Sequence, residues 1–339
     1  MTKIIIQNRN SEFDVLKGIL IILVILGHWL EYGLGNYLNR VVFNYIYLFH
    51  MPLFILISGY FSKKTDKKTF KRKIFSYIET YTIVQILYVI SANILQGKSI
   101  TLSILYTPNA AAWYLLSLIT WRTILQIIPT RLLKSRKNIY ISLIISVVSG
   151  FLPINNNEFS LLRTLTFLPF FIYGFALKDG IVKMNNPLKN WMQYCILLGI
   201  LFLTFIVGDK DLSSVLYGKY SFYNHSYSPF FMMILRICFL SIAFIMSNCI
   251  IKTIHNHTCI HTYIHTTLGS IGRNSIVFYV YHIIFLRVFI ILIRHFDLPM
   301  SFIPMIAYTF ITIIILYLIS LNNIPKRLLT PINSLLYKK

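Results

Sequence analysis

Residues 13–32 read FDVLKGILIILVILGHWLEY, and between Lys17 and His28 every side chain is aliphatic or absent. About 20 mostly apolar residues are enough for a helix to cross the hydrocarbon core of a bilayer. A helix apolar on all sides belongs in lipid or in a very large core, and 339 residues do not supply such a core. Working outward, apolar runs of similar length recur along the chain. Apolar residues make up 56 % of the sequence and charged ones 12 %, against roughly 25 % charged in a typical globular protein. The reading is an all-α, polytopic membrane helix bundle. It has about ten transmembrane helices, near 15–34, 43–62, 74–95, 111–129, 139–153, 160–177, 191–208, 229–250, 274–294 and 301–321, the second bent by Pro52. Residues 1–339 form a single integral-membrane domain.

The net charge of +22 does not point to nucleic acid, because the cations sit in alternate loops. The densest run spans Lys63 to Lys73, and an excess of Lys and Arg marks cytoplasmic loops. The same side then receives Arg131, Lys134, Arg136 and Lys137; Lys178, Lys183 and Lys189; Lys252; and Lys326, Arg327, Lys338 and Lys339. Glu158, Asp209, Asp211 and Asp297 fall in the opposite loops. Both termini are therefore expected in the cytoplasm of a multi-pass protein of the plasma membrane. The basic run also meets anionic headgroups of membrane lipids, and a role in holding donor phosphates is the other reading. Cys195, Cys238 and Cys249 lie in apolar stretches and Cys259 in a His-rich loop, which is no disulfide framework. The first apolar run lacks a small-residue cleavage pattern and reads as a retained helix.

Ionisable side chains within spans are costly and mark function by default. The first helix carries Asp14, Lys17 and His28. Asp14 and Lys17, three apart, share a face. Lys17 and His28 lie about 16 Å apart along the axis, close to three turns, so both point the same way. An imidazole there suits removal of a proton from an acceptor hydroxyl, and the alternative is a hydrogen bond to a neighbouring helix. His50 precedes Pro52, and Ser58-Gly59 permits close helix approach. Arg122, Arg163, Arg236 and Arg287 lie in or near spans that hold few acids, with Glu31, Glu79 and Glu158 as the candidates. The excess of cations suits an anionic ligand, while snorkelling to an interface is the other reading. Around 208–228, Tyr217, Tyr220, Tyr223 and Tyr227 either stack on sugar rings or form an interfacial aromatic belt. His255, His257, Cys259, His261 and His265 invite a zinc reading, but no other Cys or His set offers the convergent ligands and support a metal needs. No metal is expected.

The stretch Phe13-Asp14-Val15-Leu16-Lys17-Gly18 through Leu26-Gly27-His28, with Phe49-His50-Met51-Pro52-Leu53-Phe54 and Ser58-Gly59-Tyr60, resembles the acyltransferase 3 family, closest to its fucose 4-O-acetylase-like branch. The likeness continues at Trp113-Tyr114-Leu115-Leu116 with Trp121-Arg122, at Leu168-Pro169-Phe170-Phe171 with Gly174, and at Gly272-Arg273-Asn274-Ser275 with Tyr281-His282. The resemblance implies a bacterial membrane protein with acetyl-CoA as donor and a carbohydrate acceptor, either a polysaccharide or a lipid-linked sugar. It carries His28, Asp14 and His50 over as catalytic residues, and Lys17 and Arg122 as donor-binding ones. The family's first helix usually shows Arg, ten residues, then His. Lys17 stands in the Arg position and cannot make the two-pronged contact of a guanidinium.

Two functions are carried forward: a membrane O-acetyltransferase with His28 as general base, oriented by Asp14 or another carboxylate, and a glycan-lipid transporter or flippase. The absence of a visible internal repeat disfavours repeat-built transporters.

Overall fold

A computed structural model of the chain describes residues 11–133, 135–154, 158–182, 189–208, 210, 212–256, 262–322 and 324–329. The first half holds α1 (Ser11–Tyr32), α2 (Tyr37–Tyr47), α3 (His50–Tyr60), α4 (Lys67–Gln96), α5 (Trp113–Ile127), the one-turn α6 (Thr130–Leu133) and α7 (Lys137–Val148). The second half holds α8 (Leu161–Lys178), α9 (Asn190–Ile206), the one-turn α10 (Ser213–Leu216), α11 (Pro229–Asn256), α12 (Thr262–Arg273), α13 (Ser275–His295), α14 (Phe302–Leu321) and the short α15 (Ile324–Leu328). Short 3₁₀ turns join some of them, and no strand occurs among the described residues. The protein is an all-α polytopic helix bundle.

Among the described residues, eight helical stretches are long and apolar enough to cross a membrane, and two shorter apolar ones, Lys137–Phe151 and Asn190–Ile206, stand where the fifth and seventh spans are expected. The first of these has to return the chain across the bundle. The starts of α5 and α8 lie together, with Ser117 hydroxyl-bonded to Ser160 and Thr164 and the Trp113 ring centre 5.8 Å from that of Phe167, so α7 carries the chain back from the end of α5.

The second span is not one bent helix. It divides at Leu48 and Phe49 into α2 and α3, and Pro52 lies in the first turn of α3. Proline is tolerated in that turn because its missing N–H has no helical acceptor, and its ring clashes with the carbonyl four residues back, which is that of Leu48. The break therefore precedes Pro52. α4 starts from Asp66, whose carboxylate accepts the Thr69 amide at 2.8 Å. That hydrogen bond, reinforced by the Thr69 hydroxyl, holds the Asp66 carboxyl below its ordinary value.

Two helix pairs come together backbone to backbone through glycine. A Cβ on Gly59 of α3 would stand 2.0 Å from the Phe171 carbonyl oxygen of α8, and one on Gly174 would stand 1.9 Å from that of Leu56. The same arrangement joins α1 to α12, where a Cβ on Gly272 would stand 1.8 Å from the Asp14 carbonyl oxygen. Small residues at crossings are how membrane helices gain packing without a hydrophobic driving force between them. These contacts fix α1, α3 and α8, the helices that carry the chamber described next.

Candidate active site

A chamber of about 660 Å³ opens at the C-terminal ends of α1 and α4. Its walls are the break between α2 and α3, the starts of α5 and α8, the segment at 216–219, and the middle of α13. Gln85 of α4 builds one side: its amide nitrogen donates to the Ile104 and Thr107 carbonyls at 2.9 and 3.0 Å, and its oxygen accepts the Asn109 amide at 2.8 Å. Arg287 of α13 holds the same loop through Asn109 Oδ1, 2.8 Å away.

His28 lies one turn before the end of α1, and its Nδ1 is 3.1 Å from Glu31 Oε2. A carboxylate only accepts, so Nδ1 is the donor of this pair, and in the neutral imidazole Nε2 then holds the lone pair. Glu31 is fixed from its other oxygen by the Tyr217 hydroxyl, 2.5 Å from Oε1. Burial, then the Glu31 charge, push the Tyr217 phenol up, so it stays a donor. The Arg163 guanidinium lies 4.7 Å from the centre of the Trp113 ring and acts electrostatically on Glu31.

Two further imidazoles repeat this pattern. His50 Nδ1 donates to the Ile46 carbonyl at 2.8 Å, and His282 Nδ1 donates to that of Phe278 at 2.9 Å. Both rings are buried, and His282 Nε2 has no hydrogen-bond partner among the described residues. The His282 ring centre is 5.2 Å from that of His28. Each of the three histidines thus spends Nδ1–H on a fixed acceptor. Of the three, His28 and His50 line the chamber, where an Nε2 lone pair can receive a proton or hydrogen bond from a hydroxylated ligand.

The expected site residues fall into separate groups. His28 and His50 line the chamber. Asp14 does not orient His28: it lies fourteen positions earlier on α1, about 21 Å along the axis, and pairs with Lys17 Nζ at 2.9 Å. Lys17 also lies 5.2 Å from the centre of the Phe61 ring, so the Lys17–His28 face exists as a line on α1 without forming a shared cavity. Arg122, nine positions along α5 from Trp113, or about 14 Å, packs 4.8 Å from the Tyr77 ring centre, outside the chamber. The partner of His28 is Glu31, whose i,i+3 spacing from His28 was the available signal. Tyr217 comes from the aromatic loop around 208–228 and lines the chamber, and His282 stands out in sequence only through the family likeness. No group of three or more His, Cys, Asp or Glu arranged to hold a metal occurs among the described residues. The side chains of the His255–His265 segment lie outside the described residues.

Against known proteins, the family model for an acyltransferase domain matches residues 10–321. A nodulation protein NolL of Mesorhizobium japonicum is 29 % identical over 223 residues, which is 60 % of this chain and 58 % of that protein. Another nodulation protein NolL, of Sinorhizobium fredii, is 48 % identical over 67 residues, covering 19 % of this chain and 18 % of that protein. The match thus spans less than two thirds of either relative. No solved structure matches.

Proposed function

The chain belongs to the acyltransferase 3 family, and we propose that it is a membrane O-acyltransferase. It moves an acetyl group from cytoplasmic acetyl-CoA to a hydroxyl of a cell-surface or lipid-linked carbohydrate, with His28 as general base. The observation that carries this reading is the His28–Glu31 pair in a chamber of about 660 Å³, a size within the range of small-molecule sites.

In this reading the acceptor sugar lies against Tyr47, Trp113 and Tyr217, and its hydroxyl donates to His28 Nε2. As the hydroxyl oxygen attacks the acyl carbonyl, its proton passes to Nε2 and the imidazolium is stabilised by Glu31. The C–S bond breaks, and the proton leaves with the thiolate of CoA. General base catalysis by a positioned side chain contributes typically 10²–10⁴-fold. Lys17 and Arg122 serve the donor from the other end of the bundle, so a long flexible donor arm has to bridge the distance to His28. A plasma-membrane location in a bacterium accords with the rhizobial relatives, and membrane lipids surround the apolar helices.

The test is acceptor-dependent release of free CoA thiol by the purified chain in detergent, with a panel of free and lipid-linked sugars. Thiol release that rises with a sugar supports the enzyme. Binding of lipid-linked sugar with no thiol release from acetyl-CoA would instead favour the transporter reading.

A further inference from the structure

The chamber's charge does not balance. Among the described residues lining it, Glu31 is the one carboxylate, facing Lys98, Arg163, Lys219 and Arg287. Arg287 is buried, and its hydrogen-bond partners among the described residues are all neutral: the Tyr88 carbonyl, Ser91 Oγ and Asn109 Oδ1. Arg163 is 8 % exposed. Its hydrogen bond among the described residues runs from Nε–H to the Tyr217 carbonyl at 3.3 Å, while its Cζ lies over the Trp113 ring. The two terminal nitrogens of a rigid fork are therefore left without a protein acceptor at the chamber wall. Lys219 stands beside Tyr217 and Tyr220, 5.2 and 4.8 Å from their ring centres. Cations held out of water need a compensating anion, and a guanidinium fork fits the paired oxygens of carboxylate and phosphate.

We infer that the acceptor sugar carries an oxyanion group, carboxylate or phosphate, held by Arg163 with Lys219 while the neighbouring hydroxyl meets His28. This rests on the carbohydrate-acceptor reading and narrows it to an acidic substrate class. The phosphates of the donor are not what these cations serve. By the charge asymmetry of the loops, this end of α1 faces away from the cytoplasm.

The experiment is calorimetric binding to the full chain in detergent. The probes are a neutral glucosyl disaccharide, its glucuronyl counterpart, a monosaccharide linked to polyprenyl diphosphate, the free polyprenyl alcohol as its neutral control, and acetyl-CoA. At least one anionic probe should bind tenfold or more tighter than its neutral control, and the probe that does so identifies carboxylate or phosphate. A hydrogen bond to a charged group is worth roughly ten- to hundredfold, so Arg163→Gln should remove that advantage. Arg163→Lys should retain part of it, and acetyl-CoA binding should stay within twofold in both variants. If Arg163→Gln does not fold, Lys219→Gln at the accessible rim should reduce the advantage two- to threefold. Equal binding of neutral and anionic probes overturns the inference, as does an Arg163→Gln effect confined to acetyl-CoA. Tight anionic binding without acetyl transfer would sink the enzymatic reading alone.

Discussion

Replacing Glu31 by Gln removes one charge from the chamber and almost no volume. In the wild type, Glu31 accepts from His28 Nδ1 at 3.1 Å and from the Tyr217 hydroxyl at 2.5 Å. When His28 takes up a proton in the transition state, its new positive charge lies about 4 Å from the carboxylate. At an effective dielectric of 20 that attraction is worth about 4 kcal/mol. The side chains of His28 and Glu31 are 25 % and 37 % exposed, so solvent screening reduces the figure to about 2 kcal/mol, or about thirtyfold in rate. Gln also presents an amide N–H₂ toward one of two donors, so one hydrogen bond is lost as well. The assay is kcat for acetyl transfer, with the Km for acetyl-CoA as an internal check. Glu31→Gln should lower kcat about thirtyfold and leave that Km nearly unchanged. A folded Glu31→Gln enzyme with kcat within about threefold of wild type would refute the idea that this carboxylate supports the base.

Asp14→Asn, by contrast, should weaken the Lys17 pair at the far end of α1 and leave kcat unaffected, because no atom of Asp14 reaches the chamber. A loss of kcat matching that of Glu31→Gln would contradict the separation of the two ends. Gly59→Ala should cost about 2 kcal/mol or more in thermal stability, since its Cβ meets backbone rather than a movable side chain. Gly199→Ala in α9, where nothing lies within 4 Å, should be neutral or mildly stabilising, and a matching drop in melting temperature for both would show that the α3–α8 contact is misread. Gln85→Leu removes three hydrogen bonds from the loop over the chamber. It should speed hydrogen exchange at 104–109 about tenfold or more, and unchanged protection would mean that Arg287 alone holds the loop.

The bundle was legible from the sequence because lipid makes every span announce itself as a long apolar run. Lys137–Val148 and Asn190–Ile206 read correctly as helices despite their shortness. The break before His50 is harder to see, since nothing in Tyr47-Leu48-Phe49 is charged or small, and Pro52 draws the bend toward itself. At the site, His28 and His50 stand out as ionisable groups in apolar surroundings. Glu31 lies at the edge of its span, where a charge looks like ordinary interface, and its role depends on Tyr217 arriving from a loop 186 positions away. Pairings of that kind are set by tertiary packing, which periodicity does not encode. In sequence Arg163 is one of several cations near a membrane surface, and only its place over the Trp113 ring and its unspent nitrogens set it apart.

The most direct test of the account is transfer of label from acetyl-CoA to a sugar by the purified chain, wild type beside His28→Ala. The account predicts labelled sugar with the wild type and a loss of at least about a hundredfold with His28→Ala, while both proteins bind acetyl-CoA alike. Transfer by folded His28→Ala at the wild-type rate would contradict it.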